Sequence, residues 1–253
     1  MNKNIMENIL GENFDMKKDL ILGCITNYNF DKVENWANSI DSSGFDGHKL
    51  AIVYNVGFDL VNELTKRNFT VVTFNRDDAN KKFTYRENFN IVVDRFYHSW
   101  KILSDIENEV RYVIATDVRD VVFQSNPTEW LNRNIDSNSN IKIVASTEGI
   151  QYKNETWGNN NMKLSFPFIH DYMSNFGIYN AGVMAGSVEI IKDLFLNIYM
   201  ICANMPHTIS GGGGPDQAAL NLLLSLKPYK DITLYTNHDD GWACQCGTTV
   251  DPS

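Results

Sequence analysis

Two carboxylates three positions apart close a run of buried-strand residues: Tyr112-Val-Ile-Ala-Thr-Asp117-Val-Arg119-Asp120-Val-Val-Phe123. An aliphatic, β-branched run that ends on an acid puts that acid at the carboxyl end of a strand. That is where an open α/β sheet binds its ligand. Carboxylate oxygens suit Mg²⁺ or Mn²⁺, and such ions are commonly held by one or two carboxylates together with substrate phosphates. The same acids serve equally well as a helix N-cap or as surface partners for Arg119. The rest of the chain favours the first reading.

Other residue types add to it. Asp216-Gln217 opens an apolar helical run directly after Ser210-Gly-Gly-Gly-Gly-Pro215. An acid at a helix start suits the helix dipole; it can also be held at a cleft edge to bond a sugar hydroxyl. The glycines before it permit lid or hinge motion. They lack the Gly-Lys-Ser/Thr ending of a phosphate loop, and Gly182 with Gly186 makes no dinucleotide fingerprint. His238 precedes Asp239-Asp240-Gly241 and is either a solvated loop histidine or, folded back beside two carboxylates, a metal ligand. Arg95 flanks an apolar helix face: a snorkelling cation, or a planar donor fork for a phosphate or base. Cys244-Gln-Cys246 near His238 matches no standard zinc spacing. Cys24 and Cys202 lie in apolar runs and read as reduced core thiols.

The elements that position these residues follow from periodicity. Leu20–Thr26, Leu50–Tyr54 and Thr70–Phe74 read as buried strands, with a helix over Val56–Lys66. Asn88–Ile106 carries Phe89, Val92, Val93, Phe96, Trp100 and Leu103 on one face of a long amphipathic helix. The acid-bearing strand follows, then strands at Lys142–Thr147, Asn180–Gly186 and Ile232–Thr236, with a helix over Gln217–Leu226 and Ser187 as a helix cap. Gln151–Ser174, polar and aromatic, reads as a substrate-facing insertion. Strands alternating with helices predict an α/β fold with one mostly parallel central sheet and helices on both faces.

With 253 residues, 43% of them hydrophobic, the chain can bury a core without staples. Residues 1–18 read as a polar lead-in and 19–253 as a single domain, whose pattern changes after residue 147. A net charge of −9 argues against nucleic acid as partner, so an anionic substrate needs local help from a metal or basic side chains. Met1-Asn-Lys-Asn-Ile has no apolar signal-peptide core. Val188–Met205 carries Glu189, Lys192 and Asp193, too much charge for a membrane span. A soluble protein of a reducing, cytoplasmic compartment is the expectation.

Taken in order, these motifs resemble the GT-A fold glycosyltransferases that use nucleotide sugars. The nearest likenesses are the glycogenin and lipooligosaccharide galactosyltransferase type and the compact glycosyltransferase domains of large DNA viruses, the chlorovirus rhamnosyltransferase domain among them. The likeness spans about Leu20 to Trp242 and implies a nucleotide-binding half over 19–147 and an acceptor and catalytic half over 148–253. Its acid signature matches Asp117-Val-Arg-Asp120, its small-residue strand Tyr179-Asn180-Ala-Gly182-Val, its Asp-Gln helix start Asp216-Gln217, and its late metal-binding histidine His238. The usual signature is Asp-x-Asp, and here Arg119 stands in place of the second acid. The resemblance implies transfer of a sugar from a UDP-sugar donor to a glycan or other hydroxyl acceptor, with Mn²⁺ or Mg²⁺ on Asp117, Asp120 and His238. Thr26, Asn27 and Tyr28 would hold base and ribose, Arg95 and Arg119 the donor phosphates, and Asn180, Asp216 and Gln217 the donor sugar; Glu148 and Trp157 are candidates for the acceptor side. The alternatives are a sugar-phosphate nucleotidyltransferase, disfavoured because Thr26-Asn-Tyr-Asn-Phe30 is neither Gly-rich nor basic, and a non-catalytic carbohydrate- or nucleotide-binding protein of the same fold.

Overall fold

The computed structural model describes residues 17–86, 89–136, 138, 140–205 and 214–249. Its centre is a seven-stranded sheet built from β1 (Lys18–Thr26), β2 (His48–Tyr54), β4 (Thr70–Val72), β7 (Val110–Thr116), β8 (Ile143–Gln151), β9 (Gly177–Ser187) and β10 (Thr233–Thr236). The order across it is β10-β8-β9-β7-β1-β2-β4. β1 runs parallel to β2 and β7, β2 to β4, and β8 to β10; β9 is antiparallel to both its neighbours. The mostly parallel α/β architecture expected from the sequence is the one observed. β8 spans the expected boundary at residues 147 and 148, so both halves contribute to one sheet.

Strand side chains alternate between two cores. Leu20 and Leu22 point into one, Ile21 and Ile25 into the other, as the two-residue period of a strand requires. With both faces covered, parallel strands can be apolar throughout, which is why they were legible. On the first face α3 (Ile91–Ile106) packs against α7 (Val188–Cys202), with Phe96 and Phe195 rings at 5.4 Å. The opposite face is covered by α1 (Glu34–Ser42), α2 (Phe58–Lys66) and α4 (Pro127–Leu131), through Trp36, Leu60 and Trp130.

Several boundaries differ from expectation. Lys18 belongs to β1, because Lys18 N–H donates to Glu109 O and extends the pairing with β7. Val56–Gly57 is a short strand, β3, and α2 begins only at Phe58. β3 pairs with β6 (Lys82–Thr84), which pairs with β5 (Asn75–Asp77), making a small three-stranded antiparallel sheet. The third large-sheet strand stops at Val72, before Phe74. The stretch Gln151–Ser174 is largely helical, with α5 (Thr156–Ser165) and α6 (His170–Met173). Ser187 precedes α7, yet its hydroxyl makes no capping bond and is buried without a partner. The helix after the glycine loop, α8, spans Asp216–Ser225; Ser210–Gly213 lies outside the described residues. Among the described residues no helix is long and apolar enough to cross a membrane.

Candidate active site

The candidate residues gather where the parallel strands end. β1 stops at Thr26, and Asn27 turns the chain with a left-handed backbone (φ 54°), a conformation asparagine tolerates better than most residues. Asn27 N–H donates to Tyr54 O at 3.2 Å, which ties the turn to the end of β2. Thr26 Oγ1 is buried with no hydrogen-bond partner, and the Tyr28 ring lies half-buried against the core.

Asp117 follows the last residue of β7. Behind it, Trp36 of α1 reaches across β1 and donates from Nε1 to Thr116 Oγ1 at 2.9 Å. That approach is open because residue 23 of β1 is glycine: a Cβ there would lie 2.6 Å from Val118 Cγ1 and 2.7 Å from the Trp36 ring. In front, Asp117 N–H donates to Gly182 O at 2.7 Å. A Cβ on Gly182 would lie 2.7 Å from both Asp117 Oδ2 and Asn180 Oδ1. The small residue in β9 therefore lets this strand close onto the acid.

Arg95 joins the two acid motifs. Its Nη1 donates to Asp117 Oδ1 at 2.7 Å and its Nη2 to Asp216 Oδ2 at 2.9 Å. The side chains are 16% exposed for Arg95, 10% for Asp216 and 48% for Asp117; the Arg95–Asp216 arm is thus well shielded from water and the Asp117 arm is not. Burial works against the Arg95 charge, but the Asp117 and Asp216 carboxylates outweigh it and keep the guanidinium protonated. Burial pushes the Asp216 carboxyl up from its ordinary range, Arg95 pulls it back, and the Asp117 charge adds to the rise. α3, which carries Arg95, is held at its middle by an aromatic cluster. His98 Nδ1 pairs with Tyr54 Oη at 2.9 Å and His98 Nε2 with Tyr85 Oη at 3.3 Å, while Tyr54 stacks between Phe74 and Phe89.

A ladder of carboxamides connects Asp216 to β9. Gln217 Oε1 accepts from Ala181 N–H at 3.1 Å, and Asn180 Oδ1 from Gly182 N–H at 2.5 Å. Their amino groups, Asn180 Nδ2 and Gln217 Nε2, both donate to Glu148 Oε1 at 3.0 Å. One turn along α8, Asn221 Oδ1 accepts from Tyr179 N–H at 2.9 Å, and its Nδ2 donates to Tyr179 O and Gln217 O at 2.8 Å. The β8–β9 pairing slips between Ala145 and Thr147 and again before Gln151, and α8 meets the backbone groups of β9 at Tyr179 and Ala181. Neither this clamp nor the keystone role of Glu148 was read from the sequence. The signal for Asn221 was a lone polar residue inside Ala218–Leu224.

The remaining candidates are placed apart from this network. Asp120 and Arg119 side chains are 62% and 63% exposed and contact each other at 3.5 Å. His238 follows β10, which stands three strands from β7 across the sheet. The chain there is docked by Trp130, whose ring lies 4.9 Å from that of Trp242 and whose Nε1 donates to Asp240 O at 2.8 Å. His238 Nδ1 accepts from Gln245 N–H at 3.3 Å, while Nε2 is buried without a partner. Among the described residues no group of three or more His, Cys, Asp and Glu is placed to hold a metal ion; Asp117, Asp120 and His238 therefore do not form such a cage. The arrangement instead fits the other way these hard cations are bound, by one or two carboxylates completed by substrate phosphates, since Asp117 and Asp120 keep exposed oxygens.

No protein family matches the sequence, and no curated protein matches it. The fold itself has relatives. Glucosyl-3-phosphoglycerate synthase from Mycobacterium tuberculosis, in complex with Mn²⁺, uridine diphosphate and glucosyl-3-phosphoglycerate, aligns over 87% of this chain and 70% of its own, with TM-score 0.50 and 13% identity. Its complex with Mn²⁺, uridine diphosphate and phosphoglyceric acid aligns over 87% and 68%, with the same TM-score and identity. The chain has a GT-A-like glycosyltransferase fold.

Proposed function

We propose that this protein transfers a sugar from a nucleoside diphosphate, UDP in the first instance, to a hydroxyl acceptor. The observation that carries the reading is the Arg95 fork: it brings Asp117, at the end of a parallel strand, and Asp216, at the start of α8, onto one guanidinium, and Gln217, Glu148 and Asn180 continue the same network. The likeness in fold to an enzyme solved with UDP and Mn²⁺ supports it. The glycogenin-like or viral subgroup rests on the four sequence motifs alone.

In this reading Thr26, Asn27 and Tyr28 receive the base and ribose, and the unpartnered Thr26 hydroxyl offers a hydrogen bond. Arg119, exposed beside Asp120, and Arg95 orient the diphosphate. Asp117 and Asp120 would hold a divalent ion, Mn²⁺ or Mg²⁺, with the donor phosphates; the unpartnered Nε2 of His238 is the remaining candidate ligand. Such an ion would supply Lewis-acid neutralisation of the departing diphosphate. Asn180, Gln217 and Asp216 hold the donor sugar. Asp216 is already engaged by Arg95 and nearly buried, a poor setting for a base that must reach the acceptor hydroxyl. This supports retention of configuration, with the leaving diphosphate taking the acceptor proton on the same face.

A second reading, a binding protein of the same fold without turnover, is favoured by one observation: Arg95 occupies one oxygen of Asp117. Incubation with a panel of nucleotide sugars and Mn²⁺ separates the two. Release of free UDP supports transfer; absence of turnover with a thermal shift on adding UDP supports the binding protein.

A further inference from the structure

Resting on that proposed transfer, we infer that Arg95 is a latch on the metal-binding acid: its Nη1 arm must leave Asp117 before a divalent ion takes that carboxylate, and the released arm then serves the donor diphosphate, so that ion and donor are bound together.

The two arms of the fork are unequal. Nη2 meets Asp216 Oδ2 at 2.9 Å, between side chains that are 16% and 10% exposed. Nη1 meets Asp117 Oδ1 at 2.7 Å, and the Asp117 side chain is 48% exposed. Opposite charges attract more strongly where water is excluded. The Asp216 arm is therefore the anchor, and the Asp117 arm is the one able to let go. Space for the change is at hand. A cavity of about 20 Å³, room for one water molecule, is lined by Arg95 with Cys24, Ser99, Thr116 and Ala181. Arg95 Nε is buried with no hydrogen-bond partner among the described residues, so its third donor edge does not fix the plane of the guanidinium.

The carboxylate is constrained on its other side. Asp117 N–H donates to Gly182 O at 2.7 Å, and Asp117 Oδ2 lies in the gap that Gly182 leaves, 2.7 Å from where a Cβ would stand. Oδ2 is thus turned toward β9, and Oδ1 is the oxygen that the arm covers. An ion on Oδ1 would stand within a few ångström of a like charge, and a guanidinium does not shed its proton. Nor does the freed arm stay unpaired, since a shielded charge without a partner is costly. Phosphate oxygens match its planar donors. The donor diphosphate therefore completes the ligands of the ion and receives the arm as well. Two ligands that favour the same arrangement strengthen each other's binding by the same factor. Asp216 keeps its partner throughout, so the start of α8 stays docked.

The test is Mn²⁺ binding to the full chain, with and without UDP, read from the electron paramagnetic resonance signal of the free ion and corrected for Mn²⁺ held by UDP in solution. Arg95→Lys keeps the charge but replaces the fork by a point charge, which the shielded Asp216 should hold, leaving Asp117 open. Mn²⁺ alone should bind this variant about tenfold or more tighter than wild type, and the factor by which UDP strengthens Mn²⁺ binding should shrink by about as much. Should that variant not fold, Arg95→Gln combined with Asp216→Asn, which leaves no shielded charge behind, should show the same tightening relative to Asp216→Asn alone. Mn²⁺ affinity that is unchanged or weaker in these variants, with UDP still drawing Mn²⁺ onto wild type, overturns the latch and leaves the proposed function standing: Asp117 then serves the ion through Oδ2 with the arm in place. No Mn²⁺ binding to wild type in the presence of UDP overturns metal-assisted transfer, and this inference with it.

Discussion

Arg95 and Asp216 are 121 positions apart in sequence and 2.9 Å apart in the fold. Through this pair and its second arm to Asp117, helix α3 fastens the last turn of the parallel sheet to the first residue of α8. The guanidinium is suited to the task, because a planar fork can serve two carboxylates at fixed angles where an ammonium would serve them as a point charge.

Arg95→Ala should destabilise the fold by about 3 kcal/mol, since it strands the nearly buried Asp216 charge. Urea unfolding checks this. Arg95→Ala combined with Asp216→Asn should recover a large part of the loss. A single-variant cost near zero would mean that the pair does not hold the two halves together.

Gly23→Ala should cost about 1–3 kcal/mol, because its Cβ would meet core atoms of Trp36 and Val118 below 3 Å. Neither is the loose end of a flexible side chain. The measurement is the melting temperature, expected to drop by about 5 °C. An unchanged melting temperature would show that α1 can shift away from β1 at no cost, and that the Trp36–Thr116 contact does not define the strand end.

The parallel strands could be read from the sequence because burial on both faces leaves an unbroken apolar run. α1 could not: it starts after Val33 with no side-chain cap and its polar residues mask Trp36 and Ile40. Nor could β5 and β6, three residues each, whose pairing depends on the tertiary approach of β3. At the site, Asp117, Arg95, Asn180, Asp216 and Gln217 were each picked out, because chemistry restricts which residue types serve there. Their connectivity was not legible. Which oxygen of which acid faces Arg95, and that Glu148 is the common acceptor for two amides, depend on strand register and on the bulge in β8–β9. The same holds for His238, whose strand, β10, is placed at the sheet edge by a strand order that the sequence does not show.

Glu148 gives a pH signature. Its folded pKa lies above the ordinary 4.5, with burial as the largest cause. Between those two values the folded protein binds more protons than the unfolded chain, so this residue's contribution favours the fold below the window and is lost as pH rises through it. Glu148→Gln removes that titration while keeping an oxygen for Asn180 and Gln217. The stability of wild type relative to this variant should therefore fall as pH is raised from 4.5 upward and then level off. Thermal melts across pH 4 to 8 on both proteins read it; a difference that stays flat or rises would show that Glu148 is not raised.

Asn221→Leu removes three hydrogen bonds to backbone groups of Tyr179 and Gln217. Residue 221 is fully buried, so the Tyr179 groups lose this partner without gaining water, at a cost of about 3 kcal/mol. Amide exchange reports it locally: the Tyr179 N–H should lose protection well before the amides of β7. Equal protection of Tyr179 in variant and wild type would mean that β9 does not need the clamp.

The stereochemical outcome tests the role given to Asp216. Its carboxylate is bound to Arg95 and 10% exposed, and Gln217 beside it is spent on Glu148 and the Ala181 amide. A residue held in this way can orient a sugar hydroxyl by hydrogen bonding, whereas a general base must present a free lone pair to the incoming acceptor. Asp216→Asn keeps most of the shape and part of the hydrogen bonding, so it should leave a slow but measurable rate, about 10²–10³-fold below wild type. Proton NMR of the first product formed from an α-linked UDP-sugar should show an α-linkage in wild type and variant alike. A β-linked product would reject retention, and a variant with no detectable rate beside it would make Asp216 the base of an inverting reaction.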